Sequence, residues 1–148
     1  MLAFHPDRAW SAGGRKKRMK YDVIIIGAGP AGIFTAMELV KNGSTKKILL
    51  VEKGKAIKDR KCPKSKTKKC VNCKPCNITT GFSGAGAFSD GKLSLSYEVG
   101  GDFPMLVGAD FAQELIHYTD QIYLEFGADT RIEGVSEPEK VREIRKRA

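Results

Sequence analysis

The chain has 148 residues, 41% of them hydrophobic and 29% charged, with a formal net charge of +9. That is enough for one domain with a modest core, and the balance excludes both a disordered chain and a membrane-embedded one. The longest aliphatic run, Val23–Ile26, is far too short to span a bilayer, and Met1–Phe4 is too short for a signal core. A cytoplasmic protein with no membrane partner is expected.

The positive charge is clustered at residues 15–20, at 53–74 and at 142–147. Basic runs can neutralise nucleic-acid phosphates. No aromatics interleave with these lysines to stack bases, so a solvated basic surface that favours an anionic cofactor is the preferred reading over nucleic acid.

Residues 1–18 show no hydrophobic periodicity and Trp10 is their one large anchor, so they read as a basic extension. Met19 stands immediately before the first strand and is a candidate alternative start. Tyr21–Ile26 is rich in β-branched residues and predicts a parallel strand buried on both faces. Gly27-Ala28-Gly29-Pro30-Ala31-Gly32 follows, a G-x-G-x-x-G. Ile33, Ala36, Met37 and Val40 then mark one face of a helix that Asn42-Gly43 ends. Ile48–Val51 predicts a second buried strand, closed by Glu52, twenty residues after Gly32.

Each part has a physical task. Gly27 permits the tight turn, Gly29 lets a pyrophosphate approach the backbone, and Gly32 lets helix and strand pack closely. Amides at the helix N-terminus favour an anion. An acid at position 52 suits ribose hydroxyls and disfavours a 2′-phosphate. The fingerprint predicts a dinucleotide-binding Rossmann-like α/β domain, with FAD and NAD both open.

Cys62, Cys70, Cys73 and Cys76 follow in a C-x7-C-x2-C-x2-C pattern. Four clustered thiols suit a zinc ion or an iron–sulfur cluster. Free thiols in a basic loop, or cysteines lining a flavin site, are the alternatives. Residues 81–93 are glycine-rich yet keep two phenylalanines. Their small residues would let the backbone press on a flat ligand or a phosphate, with Ser89 and Asp90 adding polar contacts. Asp90-Gly91 is also a strong hairpin-turn signal. Further on, 110–126 predicts a helix with Phe111, Leu115, Ile122 and Phe126 on its packed face, His117 in a structural position and Gly127 closing it. The last ten residues predict an amphipathic helix without a stop signal.

The glycine motif with Pro30, Glu52-Lys53-Gly54, the cysteine segment, Asn77-Ile78 and Gly84-Ala85-Gly86-Ala87-Phe88-Ser89-Asp90-Gly91-Lys92-Leu93 together resemble the FAD-dependent dehydrogenases, also called NAD(FAD)-utilising dehydrogenases. These belong among the glutathione-reductase-like flavoproteins. The resemblance runs from about Met19 to the C-terminus and rests most on the cysteine and second glycine segments. It implies FAD bound in an extended form. Gly27, Ala28, Gly29, Pro30, Ala31 and Gly32 would hold the diphosphate, and Glu52 and Lys53 would lie at the adenosine ribose. Gly84, Ala85, Gly86, Ser89, Asp90 and Gly91 would lie toward the ribityl or isoalloxazine end. The implied chemistry is flavin-mediated redox on a small molecule, with NAD(P)H a candidate partner. Members of that family are several times longer, so residues 19–148 read as the N-terminal part of a longer FAD/NAD(P)-binding domain. More polypeptide is expected, and activity is not expected from this part alone.

Overall fold

The computed structural model describes residues 19–89, 91–132 and 137–147. The expectations for residues 1–18 and for Asp90 lie outside them. The chain divides into two compact units, residues 1–91 and 92–148.

In the first unit β1 (Val23–Ile26) and β2 (Ile48–Val51) pair in parallel, with Val23 opposite Ile48 and Ile26 opposite Val51. Two ties outside the ladder reinforce the register. Lys47 donates its main-chain N–H to Asp22 Oδ2 at 2.8 Å, and Gly27 N–H reaches Val51 O at 2.7 Å. Between the strands runs α1 (Pro30–Lys41), a βαβ unit as expected. Proline fits the first helical position because its missing N–H would have no intrahelical partner there. At the other end Gly43 takes φ +71°, Gly43 N–H reaches Val40 O and Ser44 N–H reaches Leu39 O. This is a Schellman cap, and it explains why Asn42-Gly43 stops the helix.

Burial on both faces of the strands is not observed. Ile24 and Ile26 are 59% and 87% exposed. The reason is architectural: among the described residues this sheet has two strands, and α1 is the helix that packs on it. The buried residues of this unit, Ala28, Ala36, Arg60 and Gly81, are small groups and one cation rather than large aliphatics.

After β2 the chain forms a short 3-10 turn, Ile57–Asp59, a single-turn helix α2 (Lys64–Thr67), and a second 3-10 turn, Ala85–Phe88. Of the glycine-rich hairpin expected here, Asp90 lies outside the described residues, and no flanking strand is present among them. Residues 85–88 wind instead of extending, and no strand follows among the described residues. Gly91 does take a positive φ of +77°. A helical turn uses up the residues that a hairpin would need for its first arm.

The second unit holds α3 (Phe103–Val107), α4 (Ala109–Glu125) and α5 (Pro138–Arg147). Gly108, at φ +87°, separates α3 from α4, which pack on each other. Another Schellman cap ends α4: Gly127 takes φ +92° and Ala128 N–H reaches Tyr123 O. The packed residues of α4 are Ala112 and Ile122. Phe111 and Phe126, expected on that face, are 49% and 77% exposed, and His117 is exposed too. Ala112 is buried in their place, and Phe126 lies beyond the last turn, at the cap. Three surface pairs lie along α5: Lys140–Glu137, Arg142–Glu139 and Arg147–Glu143. Among the described residues no helix is long and apolar enough to cross a membrane.

Candidate dinucleotide-binding site

The site is built where β1 ends. Gly27, at φ +99°, turns the chain sharply. Gly29 is extended and caps α1 with no side-chain hydrogen bond, and the first turn carries no acid. No side chain of the helix's own first turn neutralises its positive end. Gly32 is required by packing: a Cβ there would stand 1.9 Å from Gly27 O and 3.3 Å from Ile25 Cγ2. Gly29 differs, because a Cβ there would meet nothing within 4 Å. Its open side is the room that a pyrophosphate needs.

Glu52 leaves the end of β2 and turns back to the glycine turn. Its Oε2 accepts the N–H of Ala28 at 2.8 Å, and its Oε1 accepts the N–H of Gly54 at 2.8 Å. The Ala28 amide, then the Gly54 amide, with smaller help from Lys53 and Arg60, hold the carboxyl below its usual range against the opposing effect of burial. Each oxygen keeps a further lone pair for another donor. A carboxylate fixed in this way can accept from a ribose diol, and the open glycine turn beside it can take a diphosphate. Lys53 directly follows it.

A second glycine segment closes on the first. Ser83 donates its N–H to Ala28 O at 2.7 Å, and a Cβ on Gly84 would lie 3.4 Å from both Gly29 Cα and Pro30 Cδ. Ser83 and Gly84 thus stand beside Ala28–Pro30, with Ala85 and Gly86 following in the 3-10 turn. Ser89 ends the 3-10 turn, and its hydroxyl accepts the N–H of Gly91 at 3.1 Å. The backbone of residues 80–82 is anchored from below. Gly54 packs directly on Gly81, since a Cβ on Gly54 would stand 2.5 Å from Gly81 Cα, and Phe82 N–H reaches Lys55 O at 3.0 Å.

Arg60 was not among the expected site residues, being read as one charge of a solvated basic loop. It is 3% exposed. Its Nε donates to Asn77 O at 2.8 Å, its Nη1 to Phe82 O at 2.6 Å and Gly84 O at 2.8 Å, and its Nη2 to Ile78 O. The guanidinium also lies over the Phe88 ring, 4.7 Å from its centroid. The one available signal was compositional: residues 53–74 hold nine lysines and a single arginine. Only arginine offers a planar fork of five donors.

The four cysteines line one pocket of about 370 Å³ together with Asn72, Lys74 and Asn77. They do not form a metal site: among the described residues no three His, Cys, Asp or Glu side chains are placed to share an ion. The zinc or iron–sulfur expectation is therefore not supported. Two of the thiols are engaged separately. Cys70 Sγ lies 3.5 Å from Asn72 Oδ1, whereas Cys76 is served by the main-chain N–H of Thr79 and then of Ile78. Those two amides, with the Thr79 hydroxyl, push the Cys76 thiol down. Cys76 is accordingly expected to be alkylated by iodoacetamide at pH 7 several times faster than Cys70, the other exposed thiol. Peptide mass spectrometry over a time course reads this directly, and equal rates would contradict it.

A family model described as pyridine nucleotide-disulphide oxidoreductase matches residues 21–101, more than half of the chain. The chain belongs to the pyridine nucleotide-disulphide oxidoreductase family. The match spans β1, α1, β2, the cysteine segment and both glycine segments, so the whole site described above lies within it. Membership implies a Rossmann-like fold, of which the observed βαβ unit is a part, and nucleotide-dependent redox chemistry in a family that typically uses FAD. Neither a curated protein nor a solved structure matched the chain.

Proposed function

We propose that the chain is the FAD-binding N-terminal portion of an FAD-dependent dehydrogenase acting on a small-molecule redox substrate, with NAD(P)H as a candidate electron partner. The observation that carries this reading is Glu52, fixed by the Ala28 and Gly54 amides beside the open side of Gly29. Its carboxylate would accept the adenosine ribose hydroxyls. Gly27–Gly32 and the N-terminus of α1 would hold the diphosphate, with Lys53 adding positive charge nearby. The second glycine segment, Gly84–Gly86 and Ser89 with Asp90 and Gly91, would follow the cofactor toward its ribityl and ring end. When bound, FAD supplies two-electron redox chemistry, and the protein supplies binding, orientation and electrostatics.

The test is spectroscopic. The chain is expressed from Met19 alone and with any coding sequence that follows it, and the absorbance and the flavin released on denaturation are measured. Stoichiometric FAD in the longer protein is the expected result. A colourless protein that cannot be reconstituted with FAD would overturn the reading, and binding of NAD in its place would make this a nicotinamide site.

A further inference from the structure

Glycine-rich loops have few side chains with which to hold their own shape. Residues 81–88 contain three glycines, and Gly81 and Gly84 take positive φ values of +134° and +61°. Such a segment loses more conformational freedom on ordering than most others. Main-chain bonds from Phe82 to Lys55 O and from Ser83 to Ala28 O hold part of it, and Arg60 adds side-chain bonds to Phe82 O and Gly84 O.

The arrangement is unusual in its chemistry. A buried guanidinium commonly pairs with a carboxylate, because leaving water is costly for a cation. Among the described residues, the side-chain hydrogen bonds of Arg60 go to main-chain carbonyls, with the Phe88 ring face beside them. Two of those carbonyls, of Asn77 and Ile78, belong to the segment just after Cys76. The other two, of Phe82 and Gly84, belong to the loop that rests on Gly29 and Pro30. Asn77 Nδ2 donates back to Lys61 O at 2.9 Å, which ties Arg60's neighbour to the same segment. The surroundings are shaped around the side chain as well: a Cβ on Gly81 would stand 2.7 Å from Arg60 Cδ and 2.9 Å from Nε.

We propose that Arg60 is a positioning residue for the dinucleotide site: its fork, closed by the Phe88 ring, sets the 81–88 loop against the first glycine turn in the geometry that admits the cofactor. This deepens the FAD reading and rests on it. Geometry, not charge alone, is the operative property. Lysine keeps the charge, but its single ammonium cannot reproduce the planar fork that reaches four carbonyls.

The test compares wild type, Arg60→Lys and Phe88→Leu in the protein with any downstream coding sequence included. Two measurements are made at a temperature where circular dichroism shows each variant folded. The first is FAD affinity with the absorption band of the bound flavin. The second is amide hydrogen exchange at Ser83 and Gly84, with the β1 and β2 amides as the internal reference. For Arg60→Lys, a loss of FAD affinity of about tenfold or more and a shifted flavin band are expected. The Ser83 and Gly84 amides should exchange faster while the strand amides do not change. Phe88→Leu should loosen the same two amides to a smaller degree, and it decides the matter if the lysine variant does not fold. Wild-type affinity, flavin band and exchange in a folded variant would overturn the proposal. A merely structural role would lower stability while the folded fraction still bound FAD as wild type does. If wild type itself binds no flavin, the FAD reading fails, and unchanged or accelerated exchange at Ser83 and Gly84 still decides whether Arg60 sets the loop.

Discussion

Gly32→Ala is expected to destabilise the first unit by about 3 kcal/mol or more, the upper range for forcing atoms into a packed interior. A new Cβ would stand 1.9 Å from Gly27 O, and the obstacle is main chain rather than a flexible side chain. Either α1 must slide or the turn at Gly27 must open. The melting temperature should fall by roughly 15 °C or more for a unit of this size. Gly29→Ala is the informative contrast. Its Cβ meets nothing within 4 Å, so the fold should tolerate it with a loss of about 1 kcal/mol or less. Yet the methyl would occupy the space that the proposed FAD reading gives to the pyrophosphate, so on that reading cofactor affinity should fall sharply. Thermal melts with and without FAD separate the two effects. Equal destabilisation by both substitutions would contradict the assignment of different tasks to these glycines.

Glu52→Ala should have the second large effect. It leaves the Ala28 and Gly54 amides without their acceptor and removes the group that would receive the ribose hydroxyls. Since the carboxylate is part-buried and water can replace some of the bonding, the apo protein should lose about 1–2 kcal/mol. Cofactor affinity should fall about a hundredfold, corresponding to the loss of two charge-assisted hydrogen bonds. The sign of the pH dependence follows from the depressed folded-state value. The carboxylate's contribution is fully present above the unfolded pKa of about 4.3, and it is lost as the pH falls through the lower folded value. The stability gap between wild type and Glu52→Ala should therefore be constant near neutrality and close in acid. Denaturant melts from pH 7 down to pH 3 measure it. A gap that widened in acid would show that the two amides do not hold the charged form.

These expectations concern the part of the molecule that sequence made legible. Gly27, Gly32, Asn42-Gly43 and Glu52 act through short-range geometry: a turn, a close packing, a cap and a strand end at fixed spacing. Each could be located because its partner lies within one βαβ unit. What was hidden depends on distant partners or on side-chain direction. Arg60 bonds carbonyls seventeen to twenty-four residues away, and a basic run gives no hint of which cation turns inward. The cysteine spacing was suggestive of a shared ion, but spacing does not say which way each sulfur points. Cys76 turns to main-chain amides instead. The exposure of Ile24 and Ile26 was likewise not written in their β-branched pattern, which reports a preference for strand and not the presence of a covering layer. On the second unit, the aromatic period along α4 favoured Phe111 and Phe126, whereas the buried position is that of the small Ala112.

The contact between Gly54, Gly81 and Arg60 also bears on how the sequence can change over evolutionary time. A methyl at position 54 would press on the Gly81 backbone, and one at position 81 would press on both the Lys55 carbonyl and the Arg60 side chain. The obstacle at position 54 is main chain, Gly81 Cα and N with Thr80 C, and the one at position 81 includes the Lys55 carbonyl, so no side-chain change elsewhere clears either of them. Glycine is held at both positions by the path of the backbone itself, whatever the surrounding side chains become.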